Sequence, residues 1–171
     1  MVRDPDVLVR LRRLQTEIAV DISALKERER ETGDLVRRWD AAGSIGRPEV
    51  ALLAVNLHAW YTAFESLLER VARLLDQTVP TGSSWHNDLM EQMRIDVPGL
   101  RRALVPSETV APLYELRKFR HFFRNAYTLD LDLAKVRARA RDLEAAAPSV
   151  IEALDRFAEE LARAIQELTR S

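Results

Sequence analysis

Leu53-Ala54-Val55-Asn56-Leu57-His58-Ala59-Trp60-Tyr61-Thr62-Ala63-Phe64-Glu65-Ser66-Leu67-Leu68-Glu69-Arg70-Val71-Ala72-Arg73-Leu74-Leu75 is the stretch on which the fold turns. Its large apolar residues, Leu53, Leu57, Trp60/Tyr61, Phe64, Leu67/Leu68, Val71 and Leu74/Leu75, recur in steps of three and four. That spacing gathers them on one wide face of an α-helix, and so wide a face has to pack on at least two neighbours. The segment is therefore the core helix. Trp60, Tyr61 and Phe64 read as core side chains rather than as a platform for stacking bases. Pro48 and Glu49 suit its first turn, and Thr78-Val79-Pro80-Thr81-Gly82-Ser83-Ser84 ends it.

Outward from this helix the chain reads as helical almost throughout. From Pro5 to about Asp40 apolar residues recur as Val7/Leu8, Leu11, Leu14, Ile18, Ile22 and Leu25. The part from Lys26 to Arg38 is very polar, which predicts a solvated face on a helix that projects beyond the core or packs there on a partner. Ser84 is placed to cap a short helix from Trp85 to about Arg94. Val97-Pro98-Gly99 breaks the chain, with a short turn expected over Leu100 to Leu104. Ser107 opens the next helix, with Leu113, Leu116, Phe119, Phe123 and Ala126 as its stripe. A last helical region runs from about Asp132 to the end, where Pro148 is expected to kink it or split it in two. The expected fold is all-α, an antiparallel up-and-down bundle of four to five helices. One domain over 1–171 is expected, with a long N-terminal helix over 1–40 and a core bundle over 48–171.

Composition bounds the function. The 171 residues are 47% hydrophobic and 31% charged with five glycines, which is globular rather than disordered. Net charge is −1, so affinity for nucleic acid has to come from a local patch. The absence of cysteine excludes disulfides, thiol catalysis and thiolate metal sites. No signal peptide is legible after Met1-Val2-Arg3, and the longest apolar run, Val50 to Val55, is too short for a bilayer. A cytoplasmic protein without a membrane anchor is expected.

The patch is Arg117-Lys118-Phe119-Arg120-His121-Phe122-Phe123-Arg124-Asn125-Ala126-Tyr127. With about 100° per residue, Arg120, Arg124 and Tyr127 line one flank of the buried stripe, Arg117 and His121 lie further round, and Asn125 lies about opposite the core. Guanidinium forks match phosphate oxygens, and Arg/Lys outnumber Asp/Glu seven to three between Arg94 and Tyr127. The same residues also suit a solvated rim whose arginine stems lie on apolar surface. His58 and His86 read as ordinary polar positions, since neither has an acidic partner at metal-ligand spacing. Glu65 and Glu69 form an i,i+4 pair, but no Glu-x-x-His pairing accompanies them, which argues against a di-iron bundle. Gly43 and Gly46 follow no strand and make no phosphate loop.

The run Phe119-Arg120-His121-Phe122-Phe123-Arg124-Asn125-Ala126-Tyr127, after a helix containing Trp60-Tyr61-Thr62-Ala63-Phe64-Glu65, resembles the HepT-like branch of the HEPN superfamily. The likeness spans about residues 50 to 165. It implies an all-helical, homodimeric, metal-independent ribonuclease toxin with no cofactor, its partners being RNA and a minimal nucleotidyltransferase antitoxin. The motif of that superfamily is arginine, four to six residues, then histidine, often with a polar residue directly after the arginine. The HepT version adds a tyrosine two positions on. Arg120 matches the arginine, His121 the polar residue and Tyr127 the tyrosine. Asn125 occupies the histidine position.

By this resemblance Arg120 grips the scissile phosphate in a cleft between two protomers, with Arg117 and Arg124 widening the anion site. Tyr127 lines the cleft and receives AMP from the antitoxin. Asn125 can hydrogen-bond a phosphate oxygen or a 2′-hydroxyl but does not titrate near neutrality. Losing an acid–base group typically costs ~10²–10⁴ in rate. Three outcomes stand open: histidine duty taken by His121, a slow enzyme, or a HEPN domain that binds RNA or protein without cleaving.

Overall fold

A computed structural model describes residues 5–125 and 131–170. Five α-helices follow in order: α1 Pro5–Ala42, α2 Arg47–Val71, α3 Trp85–Met93, α4 Val110–Asn125 and α5 Leu133–Arg170. The fold is all-α, and the only β-type pairing among the described residues is an isolated bridge between Val97 and Arg101. The two 38-residue helices, α1 and α5, pack along each other, and α2 lies against α1. The shorter α4 sits between α5 and α2, and α3 rests on α2. No helix among the described residues is long and apolar enough to cross a membrane.

α2 is the centre of the core, as its periodicity predicts. Leu53, Leu57, Trp60, Tyr61, Phe64, Leu67, Leu68 and Val71 are all buried, and Trp60 stacks on Phe64. Gly46 is extended before the first turn, and Pro48 sits where no backbone N–H is needed. The helix loosens into a π-helical turn over Ala72–Asp76 and stops at Gln77, whose φ of 54° is left-handed. Ser84 does not cap α3 with its side chain. Its hydroxyl donates to Asp88 Oδ2 at 2.7 Å, while its carbonyl accepts from the N–H of Asn87 and of Asp88.

The polar second half of α1 does not project. Leu25, Thr32, Leu35, Val36 and Trp39 are buried, so the stripe runs on to the end of the helix. The apolar pattern lapses there because Arg28 and Thr32 occupy core-facing positions. Arg28 is held at 2.7 Å from Glu31 and donates to the Oδ1 of buried Asn56 at 3.1 Å. Asp40 takes Arg137 and Arg141 from α5, and Lys26 reaches Asp155 at 2.9 Å. These charges stitch α1 to α5 rather than merely facing water.

Pro148 does not split α5, which runs unbroken through it. Pro148 itself is exposed while Ala147 and Val150 beside it are buried, so the backbone bond that proline removes falls on the water side. The loop between α3 and α4 is organised around Arg101, whose side chain is fully buried. Its guanidinium donates to both oxygens of Asp76, at 2.8 and 2.6 Å, and to the carbonyls of Ile95 and Gln92. Gln92 adds a bond to Asp76 at 2.7 Å, and Leu104 and Val105 both donate to Met93 O. The expected turn over Leu100 to Leu104 is thus a loop tied down by a buried ion pair, and Gly99 supplies its left-handed corner at φ 76°.

Candidate functional site

Three residues on one face of α2, His58, Thr62 and Glu65, stand at i, i+4 and i+7 and look toward α4 and α3. Thr62 donates its hydroxyl to the carbonyl of His58 at 2.8 Å. The Thr62 hydroxyl oxygen in turn accepts Arg120 Nε–H at 3.2 Å. Arg120 Nη2 lies 3.2 Å from Glu65 Oε2. The other oxygen of that carboxylate, Oε1, meets Nδ1 of His86 from α3, whose ring stacks on Trp85 at 3.7 Å between centroids. One carboxylate therefore holds a guanidinium on one side and an imidazole on the other.

Burial explains why this arrangement is tight. The Glu65 side chain is 7% exposed, Arg120 15% and His86 24%. A carboxylate taken that far from water is tolerated only when its oxygens are filled by good donors. Arg120 is thus neither sunk in an apolar interior nor waving in solvent. A guanidinium carries five N–H donors, so those directed at Thr62 and Glu65 leave others for a ligand.

His58 lies beside this group. Its ring packs on Phe123 at 5.3 Å, and its buried Nδ1 has no hydrogen-bond partner among the described residues. Burial, and then the charges of Arg120 and Arg124, push its pKa below the ordinary histidine value. His58 is therefore neutral at neutral pH. The Tyr61 phenol is pushed up, first by burial and then by the charge of Glu65, and stays protonated.

The remaining candidates are dispersed. Arg117 is half-buried, with its guanidinium 4.8 Å above the Tyr114 ring, and Lys118 shares that ring while pairing with Glu115 at 2.8 Å. His121, Phe122 and Arg124 are exposed. His121 starts one helical step, about 100°, round from Arg120. Asn125 ends α4, but its side chain lies outside the described residues, as do Ala126 and Tyr127.

The positive field expected from seven basic residues is much reduced. Arg94 pairs with Glu91, Arg101 with Asp76, Arg102 with Glu160, Lys118 with Glu115 and Arg120 with Glu65. Of these acids, only Glu115 lies within the segment itself. Arg117 and Arg124 have no ion pair among the described residues, and they carry what local positive charge is left. A second arginine-lined groove, between α1 and the end of α2, is balanced in the same way: Arg13 by Glu17, Arg70 by Asp21 and Arg73 by Glu69.

Glu65, Thr62 and His86 complete the surroundings of Arg120, and a reading of the sequence does not select them. His86 does have an acidic partner, 21 positions away on another helix and so outside the spacing of a single helix. One signal was available. Glu65 falls within the apolar face of α2, beside Phe64 and four residues after Tyr61, and a carboxylate in such a place demands a cation.

No curated protein and no solved structure matches the chain. Residues 52–161 match the model of a protein family described as HepT-like protein. That span includes His58, Thr62, Glu65, His86, Arg120 and the motif run through Tyr127, and it takes in well over half of the chain. On that match the chain belongs to the HepT-like family of the HEPN superfamily.

Proposed function

We propose that the protein is a metal-independent endoribonuclease, the toxin of a HepT-type toxin–antitoxin pair, acting in the cytoplasm as a homodimer. The observation that carries this reading is the HepT-like match across a site in which the motif arginine is held in a fixed orientation by a buried carboxylate. A guanidinium whose direction is set before substrate arrives stabilises the charge developing on a phosphate without reorganising. Arg120 fills that role, and the exposed Arg124 and half-buried Arg117 extend the anion site along α4.

Two copies of the domain supply the two walls of the cleft in this reading, and RNA lies between them. Asn125 orients the 2′-hydroxyl or a phosphate oxygen. His121 is the imidazole nearest to the motif arginine in sequence and a candidate for proton transfer. Tyr127 lines the cleft and is the residue that a cognate nucleotidyltransferase modifies with AMP. An anionic adduct among arginines would exclude RNA by volume and by charge. The test is incubation of the purified protein with RNA in excess chelator. Cleavage that leaves 2′,3′-cyclic phosphate ends is the expected result, and intact RNA would refute the reading.

A second reading is favoured by Asn125 and by the neutralisation of Arg120: a domain of attenuated activity that binds RNA or protein through this face. Asn125→His separates the two. A gain in cleavage of at least ~10² would mean that the native domain lacks its acid–base group, whereas an unchanged rate places proton transfer elsewhere or nowhere.

A further inference from the structure

We infer that His86, from α3, is the proton-transfer residue of this site and does the work that Asn125 cannot. The inference rests on the ribonuclease reading above and names a residue outside the Arg-x4-Asn motif. The observation is one of convergence. His86 Nδ1 and Arg120 Nη2 bond opposite oxygens of one buried carboxylate, so the imidazole and the phosphate-gripping fork are held side by side by Glu65. His86 is also the most exposed of the three, and the ring of Trp85 stacked against it fixes its plane.

The hydrogen bond determines which nitrogen does the chemistry. A carboxylate only accepts, so Nδ1 carries the proton that it donates to Glu65, and Nε2 carries the lone pair. A carboxylate bonded to Nδ1 orients an imidazole and supports the imidazolium formed when Nε2 takes a proton. Among the described residues Glu65 on α2 bonds the ring and Arg120 on α4 shares that carboxylate, while Asp88, two positions on in α3, is engaged by the Ser84 hydroxyl.

The step balances. Nε2 of His86 takes the proton of an RNA 2′-hydroxyl as that oxygen forms a bond to phosphorus. The bond from phosphorus to the 5′-oxygen breaks, and the leaving oxygen takes a proton from solvent. The imidazolium then returns its proton to solvent. One chain becomes a 2′,3′-cyclic phosphate end and a 5′-hydroxyl end, with no oxidation or reduction. Glu65 is a positioning residue in this scheme, since it acts through His86 and Arg120.

Single-turnover cleavage of an RNA oligonucleotide, measured across pH for wild type and His86→Gln, decides the matter. The amide keeps a donor for Glu65 but does not titrate. The expected result is a loss of ~10²–10⁴ in rate together with a pH profile that differs from that of wild type. If His86→Gln fails to fold, His86→Ala with added imidazole replaces it: restored cleavage supports the assignment, and no restoration overturns it. Wild-type rate and pH profile in His86→Gln, with Arg120→Ala inert, would overturn the role of His86 and leave the ribonuclease standing. A wild-type protein that leaves RNA intact would overturn both.

Discussion

Glu65→Ala is expected to lower folding stability by ~3–5 kcal/mol, because it strands Arg120 as an uncompensated cation in a site only 15% exposed. The loss has two parts. The guanidinium gives up its carboxylate partner, and His86 gives up the acceptor for Nδ1. Neither group can recover full hydration where it stands, so each bears a desolvation cost that the bond had offset. Glu65→Gln should cost less, since its amide oxygen still accepts one of the two donors. The double variant Glu65→Leu, Arg120→Leu should recover much of the loss, because an apolar pair leaves no charge behind. Urea denaturation measures all three as shifts of midpoint at constant slope. Equal stability of Glu65→Ala and wild type would mean that the pair is not held as described.

A loss of similar size, ~3–5 kcal/mol, is expected from Asp76→Ala, at a place with no part in the proposed chemistry. Arg101 is the most completely buried cation in an ion pair among the described residues, with no side-chain exposure, and both oxygens of Asp76 are bonded to it. Burial works to raise the Asp76 pKa, but the hydrogen bonds from Arg101 and Gln92 and the Arg101 charge outweigh it and hold the carboxyl below its ordinary value. A carboxyl with a depressed folded pKa contributes stability that is present above its unfolded pKa and is lost as pH falls through the folded one. The gap between Asp76→Ala and wild type should therefore be full at pH 7 and shrink in acid below about 4. Arg101→Met should be milder at pH 7, since Asp76 is partly exposed and can rehydrate more easily than a guanidinium with no surface at all. Urea midpoints at neutral and acid pH check both statements. A gap that does not narrow in acid would contradict the linkage.

Most of the fold was legible because its stripes are nearly pure. α2 carries apolar or aromatic residues at every buried position but Asn56 and Glu65, and α5 keeps its stripe on both sides of Pro148. The reading failed where polar side chains took core positions. Arg28 and Thr32 interrupt the α1 pattern, so a buried half-helix looked solvated. Arg101 counted toward a positive patch although its side chain is buried and holds an exposed loop together. Pro148 left a kink or a split open, and the split does not occur, because periodicity gives the phase of a stripe but not whether a missing hydrogen bond faces water.

The site divides along the same line. Arg120 could be named because the motif lies within one run of chain. Thr62 and Glu65, which hold it, and His86, which shares the Glu65 carboxylate, come from two other helices, 58 residues away in the case of Thr62. Their chemistry arises only when α2, α3 and α4 are brought together. The i,i+4 spacing of Glu65 and Glu69 suggested a pair of like carboxylates, yet packing sends Glu65 inward to Arg120 and His86 and leaves Glu69 outward on Arg73.

In the proposed function, RNA phosphate binds and is cut at the guanidinium anchored on Glu65. Cleavage of one RNA by wild type and by Arg120→Ala, with folding of the variant verified and excess chelator present, tests it most directly. Cyclic-phosphate products from wild type and a variant slower by ~10² or more are expected. Equal rates, or two equally inert proteins, would contradict it.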